Sequence, residues 1–139
     1  MSKLTEFLQK KESEKFAMNT GKKIHHELQF LQLTDDTKVA KKIRDNEFLS
    51  QFWEPGSRAE VPISGFVNGH FYSKRIDRMV VLDKDILFFD YKTDTTRIRR
   101  EDYKKTIEIY AKLLKSAYPD YNIQGYILWL HDWGLENII

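Results

Sequence analysis

The chain has 139 residues, room for one core and little room for a second. Charged residues make up 32% of it, which argues against a membrane protein, and its longest uncharged apolar run, 126–130, falls far short of the roughly 20 residues that a spanning helix needs. The absence of cysteine excludes disulfides, thiolate zinc sites, iron–sulfur clusters and cysteine nucleophiles, and a net charge of +2 is too small to mark a nucleic-acid binder by itself.

The N-terminus carries Lys3, Glu6, Lys10 and Lys11 with no continuous apolar stretch, so no secretory signal is expected and a cytoplasmic location is. Leu4, Phe7, Leu8 and Phe16, then Ile24, Leu28 and Leu31, recur at helical spacing. They predict helix over 3–17 and 20–32, with Asn19-Thr20-Gly21 the candidate break. Thr34-Asp35-Asp36 predicts the N-cap of a third helix over 37–52, whose apolar face would be Val39, Ile43 and Phe48. Pro55-Gly56 ends the helical part.

The apolar period then shortens to two. Segments 58–63, 65–71 and 75–82 read as strands of an antiparallel meander. Asp83-Lys84-Asp85 makes a polar turn into Ile86-Leu87-Phe88-Phe89-Asp90-Tyr91-Lys92, which is apolar on both faces and so predicts a central strand. Tyr103, Ile107, Tyr110, Leu114 and Ala117 share one face of a helix over 101–117, stopped at Pro119, and 122–130 reads as a last strand. The fold class expected is α/β in the broad sense, α+β in detail. It is a single domain over 1–139, with an N-terminal helical part (1–53) and a mixed-sheet core (57–139).

The chemistry concentrates in Arg75-Ile76-Asp77-Arg78 and Asp90-Tyr91-Lys92. Residues two apart on a strand share a face, so Asp90 and Lys92 stand side by side. Counting back through the turn at 83–85 brings Asp77 level with Asp90 and Tyr91. Two carboxylates and an ammonium on one patch of sheet suit phosphodiester hydrolysis: the carboxylates hold a hard divalent cation, and the lysine stabilises developing charge or orients water. An isolated Asp-x-Lys would ordinarily be a surface salt-bridge ladder. The apolar run leading directly into this one argues against a solvated edge.

Arg-Ile-Asp-Arg-Met-Val-Val (75–81) followed by Phe-Phe-Asp-Tyr-Lys-Thr-Asp (88–94) resembles the nuclease domain of the RecB and AddA family, within the PD-(D/E)XK superfamily. Gly21-Lys22-Lys23-Ile24-His25 resembles the family's helical Gly-x-x-x-His, and Ala59-Glu60-Val61-Pro62 its acidic segment opening the sheet. Tyr103-x-x-Thr106-x-x-x-Tyr110 resembles its Tyr-x-x-Gln-x-x-x-Tyr helix, and together the four marks span roughly residues 20–130.

The resemblance implies a restriction-endonuclease-like core and Mg²⁺, or Mn²⁺, held by His25, Asp77 and Asp90 with the Tyr91 carbonyl as an extra ligand. It further implies Lys92 as catalytic lysine and Glu60 as a supporting acid, with Thr106 and Tyr110 touching the site or DNA. Two positions depart from the pattern: threonine at 106 replaces a longer glutamine, and Arg75 stands where the family has glycine, adding a phosphate contact or crowding the groove. His26 should turn away from a site that His25 faces, since adjacent helical residues lie about 100° apart.

Arg75, Arg78, the 97–100 run, Lys22-Lys23 and Lys104-Lys105 flank the site and would suit a backbone-gripping groove, and Phe71, Tyr72 or Tyr91 offer rings for stacking on unpaired bases. The expected function is a Mg²⁺-dependent deoxyribonuclease acting on single-stranded or unwound DNA in repair or recombination, with a helicase as partner. A non-catalytic DNA-binding module of the same fold and an RNA nuclease are the alternatives. Exonuclease against endonuclease action stays open.

Overall fold

The computed structural model describes residues 2–139, and within that range every side chain except those of Lys10 and residues 12–20. The chain forms two compact units that part between Phe30 and Leu31.

The first unit is one helix, α1 (Lys3–Phe30). It starts at Ser2, whose Oγ accepts from the Thr5 N–H at 3.1 Å. The break expected near Asn19-Thr20-Gly21 does not occur. One glycine inside a helix costs only about 1 kcal/mol against alanine, and the lysines, glutamates and leucines on either side are good helix formers. Leu4, Phe7 and Leu8 are more than half exposed. The side chain of Phe16 lies outside the described residues.

In the second unit, the helix expected over 37–52 is three pieces: α2 (Lys38–Arg44), α3 (Glu47–Ser50) and a 3-10 turn, Gln51–Trp53. Thr37, not the cluster before it, is the N-cap of α2, its Oγ1 accepting from the Ala40 N–H at 3.1 Å. Asn46 causes the interruption. Its side-chain oxygen accepts from the Leu49 N–H at 3.1 Å and starts a new helix instead of continuing the old one. Ala40, Ile43, Leu49, Phe52 and Trp53 are buried, while Val39 and Phe48 are half-buried.

Five strands follow in chain order across one sheet: β1 (Ser57–Val67), β2 (His70–Leu82), β3 (Asp85–Lys92), β4 (Asn122–Trp129) and β5 (Gly134–Asn137). The first three form the antiparallel meander, but with two long arms where three short strands were expected before the 83–85 turn. The chain reverses at Asn68-Gly69, both with positive φ (52° and 80°), the backbone of a two-residue hairpin turn. Helix α4 (Arg100–Ala117) crosses from β3 to β4, which pair in parallel. The four-residue β5 then folds back antiparallel on β4, a strand absent from the sequence reading. The fold is α+β around a mixed sheet, with β3 in the middle as expected.

Both faces of the sheet are covered. Ile107, Tyr110 and Leu114 of α4 pack with Ile86, Phe88, Ile127 and Trp129 in one core. Gly125 allows the close approach: a Cβ there would lie 2.6 Å from the Phe88 ring and 2.7 Å from Ile107. On the other face Phe52 and Trp53 meet Phe89, with ring centroids 4.2 and 5.9 Å apart, and Phe48 meets Tyr126 at 5.2 Å. Residues 86–91 of β3 are consequently all buried, and two charged groups of the meander sink with them.

Candidate functional site

Asp90 and Lys92 lie on the α4 face at the end of β3. The Lys92 Nζ is 2.7 Å from Asp90 Oδ2, and 4.3 Å from the centre of the Tyr103 ring on α4. The β2–β3 register pairs Arg78 with Phe89, so one step further Asp77 stands opposite Asp90. Asp77 Oδ2 accepts from the Tyr91 N–H at 2.8 Å, which pins the carboxylate across the strand pair. Asp77 and Asp90 are only 8% and 7% exposed.

Glu60 faces the same cluster from β1. Ala59 pairs with Arg78 and Val61 with Ile76, which places Glu60 opposite Asp77. A carboxylate oxygen of Glu60 lies within 4.8 Å of one of Asp77. Its backbone is left-handed, φ 51°, in the middle of a strand, a conformation that costs a non-glycine residue about 1–3 kcal/mol. The strand alternation slips at the same level: Ile76 and Met79, three residues apart, belong to the same core. Local strain thus accompanies the turn of this acid toward its neighbours.

The electrostatics follow from burying like charges together. Burial raises the Asp90 carboxyl most, and the hydrogen bond and charge of Asp77 raise it further, to about 8; Lys92 pulls it partly back. Burial pulls the Lys92 ammonium down, but Asp90 first and then Asp77 and Tyr103 outweigh it, so its pKa ends above the usual lysine value. Tyr110 is buried on α4, and its hydroxyl is pushed up by burial and then by Asp90, Asp77 and Glu60, which places it in the field of all three acids. Two neighbouring carboxylates short of water ionise together only with a cation beside them.

Glu60 and Asp77 offer neighbouring carboxylate oxygens able to hold a metal ion, and His25 is half-buried on α1. His26, next along the helix, is exposed and stacks edge-on with Phe30 at 4.9 Å.

Other expected residues fare differently. Arg78, expected to face nucleic acid, is buried to 6% exposure on the opposite side of the sheet, with its guanidinium 4.6 Å from the Trp53 ring centre and interacting with Tyr91. It sits one residue after Asp77, so strand alternation alone sends it there. Arg75 is exposed as expected. Thr106 is half-buried and donates to the Asp102 carbonyl at 3.4 Å, a bond within its own helix.

The 97–100 run is less available than a gripping groove requires. Arg97 pairs with Asp132 at 3.3 Å and lies 5.1 Å from the Trp129 ring, while Arg100 pairs with Glu136 and, at 2.8 Å, with Glu101. Asp94 was missed by the sequence reading. It accepts from the Tyr103 hydroxyl at 2.8 Å and so ties down the ring beneath Lys92. The alternation Asp90, Lys92, Asp94 was the available signal.

No helix among the described residues is long and apolar enough to cross a membrane. No protein-family model matches the chain, and no curated protein matches its sequence.

Proposed function

We propose that this chain is a divalent-metal-dependent nuclease domain of the RecB and AddA kind, hydrolysing phosphodiester bonds of single-stranded or unwound DNA beside a helicase in the cytoplasm. One observation carries the reading. Asp77 and Asp90 are buried together with Lys92 bonded to one of them, an arrangement with little structural merit and clear chemical use. Strain at Glu60 points the same way, because left-handed backbone in a strand persists where an orientation is needed.

The donor set fits a hard cation of the Mg²⁺ or Mn²⁺ type: carboxylate oxygens predominate, and repulsion between them supplies the drive for uptake. Asp77, Asp90 and His25 would hold the ion, with Glu60 and the Tyr91 carbonyl in support. A bound divalent ion supplies Lewis-acid polarisation of a phosphoryl oxygen and eases deprotonation of the attacking water. Lys92 keeps its ammonium charged next to Asp90, where it meets negative charge building on the phosphate oxygens. Tyr103 limits the directions its amine takes. Tyr110 closes the apolar side of the cluster and keeps water scarce around the carboxylates.

Incubation of the purified chain with end-labelled single- and double-stranded DNA, with Mg²⁺ or Mn²⁺ titrated in, tests this directly. Cleavage should require the ion and disappear in both Asp90→Ala and Lys92→Ala. Cleavage that survives both substitutions, or is indifferent to a chelator, would end the assignment.

A further inference from the structure

The three arginines of the 97–100 run part company at the start of α4. Arg97 pairs with Asp132, and Arg100 pairs with Glu101 and with Glu136 of β5. Arg99 is exposed, and among the described residues no carboxylate pairs with it. Its carbonyl accepts from the Tyr103 N–H at 3.1 Å, so the two residues stand one turn apart on nearly the same side of α4.

Helical phase tells which part of the sheet that side overlooks. Arg99, Thr106 and Leu113 are seven residues apart, two turns with little angular drift. Leu113 lies against Gly65 of β1, where an added Cβ would meet it at 3.0 Å. The side of α4 that carries Arg99 therefore leans toward β1 and β2, which supply Glu60 and Asp77, whereas Arg100 leans toward β5. Tyr103 joins Arg99 to the cluster. Its ring lies beneath the Lys92 amine at 4.3 Å, and its hydroxyl, which donates to Asp94 at 2.8 Å, also feels the Arg99 guanidinium. One tyrosine thus has a cation over its face and another at its hydroxyl edge.

Two cations set apart by an aromatic ring suit neighbouring linkages of one strand better than two oxygens of a single phosphate. A guanidinium is also the group whose planar fork matches a phosphate, and a polyanion approaching three acids needs cationic contacts beside them. We propose that Arg99 grips the phosphate next to the one being hydrolysed, and so holds a single strand across the start of α4 with the reacting linkage at Lys92. The proposal rests on the nuclease reading, and the test separates the two.

The full chain, Arg99→Gln and Arg99→Lys are compared for binding to fluorescent oligothymidylate in Ca²⁺ over a range of salt, and for steady-state cleavage in Mg²⁺. Circular dichroism verifies folding. Arg99→Gln should bind about tenfold more weakly, and the slope of log affinity against log salt should fall by about 0.7, one phosphate contact on a single strand. Its KM should rise about tenfold with kcat little changed, the pattern of lost uniform binding. Arg99→Lys should restore the slope but only part of the affinity, since it keeps the charge and lacks the fork. A strand with one neutral methylphosphonate linkage, moved stepwise past the mapped cut, should raise KM at one neighbouring position for the unaltered chain and not for Arg99→Gln.

Unchanged slope and KM in Arg99→Gln, with cleavage intact in the unaltered chain, overturn the proposal and leave the nuclease reading standing. A lower kcat with the slope unchanged also overturns it, and makes Arg99 a prop for Tyr103. A lowered slope without cleavage by the unaltered chain ends the nuclease reading and leaves Arg99 as a phosphate contact of a binding module.

Discussion

Asp77 and Arg78 are adjacent in β2, and Asp90 and Tyr91 are adjacent in β3, yet strand alternation sends one member of each pair to either face of the sheet. On the face away from α4, buried Arg78 meets the Trp53 ring and Tyr91, partners that are always present. On the α4 face, Asp77 and Asp90 meet each other. Both regions hold charge in nearly dry surroundings, but the first sets a single cation among aromatic groups, whereas the second sets carboxylates against one another. Lys92 answers Asp90 and the Tyr91 N–H answers Asp77, while Glu60 converges beside them. A buried charge with permanent partners belongs to the fold; a surplus of like charges asks for a ligand.

Substitution at Asp90 and Lys92 is the strongest attempt to break that distinction. Asp90→Asn should lower metal-dependent cleavage by about a thousandfold or more, because the expected loss of metal-held charge stabilisation is several kcal/mol. Lys92→Ala should lower it by about a hundredfold to a thousandfold, the range for removing one preorganised electrostatic group. Single-turnover assays at saturating metal measure both. Unchanged turnover in either would make the cluster structural, like its counterpart across the sheet.

Stability should respond in the opposite sense on the two faces. Arg78→Ala removes a cation–π contact and leaves a void under Trp53, so a loss of about 2–4 kcal/mol is expected in urea unfolding. Asp90→Asn should instead stabilise the metal-free protein near neutral pH. Its pH dependence carries the sign: the folded state keeps the Asp90 proton up to about 8, whereas the unfolded chain releases it near 3.8. The folded state therefore binds more protons between those values, and metal-free stability falls as pH rises through that window. Added Mg²⁺ should reverse the fall, and Asp90→Asn should flatten it. A metal-free unfolding curve that rises over the same window would contradict the raised carboxyl.

The distinction was half legible in the sequence. The apolar run into Asp90 identified the central strand, and counting through a short turn placed Asp77 beside it, because strand geometry is nearly invariant. The opposite face was not legible: Arg78 reads as one more basic residue until Trp53, distant in sequence, closes over it. The division of 37–52 at Asn46 turned on one side-chain hydrogen bond competing with the helix. The Asn68-Gly69 turn was hidden by apolar residues continuing on both sides of it. Strand β5, four residues long and entered through Trp133 at φ 56°, had no periodicity to detect.

Tyr103 offers the finest adjustment of the comparison, since it gives Lys92 the kind of aromatic support that Arg78 takes from Trp53. Its ring lies 4.3 Å from the Lys92 amine and its hydroxyl donates to Asp94 at 2.8 Å. Tyr103→Phe keeps the ring and loses one hydrogen bond, so about 1 kcal/mol of stability should go. The freed ring should hold Lys92 less firmly, with turnover lower by only about two- to fivefold and KM unchanged. Tyr103→Ala also removes the π-face, worth roughly 0.5–2 kcal/mol to a nearby ammonium, and should lower turnover further. If the phenylalanine and alanine variants turned over equally, the ring would have no part in positioning Lys92. The aromatic support would then belong to the structural face of the sheet alone.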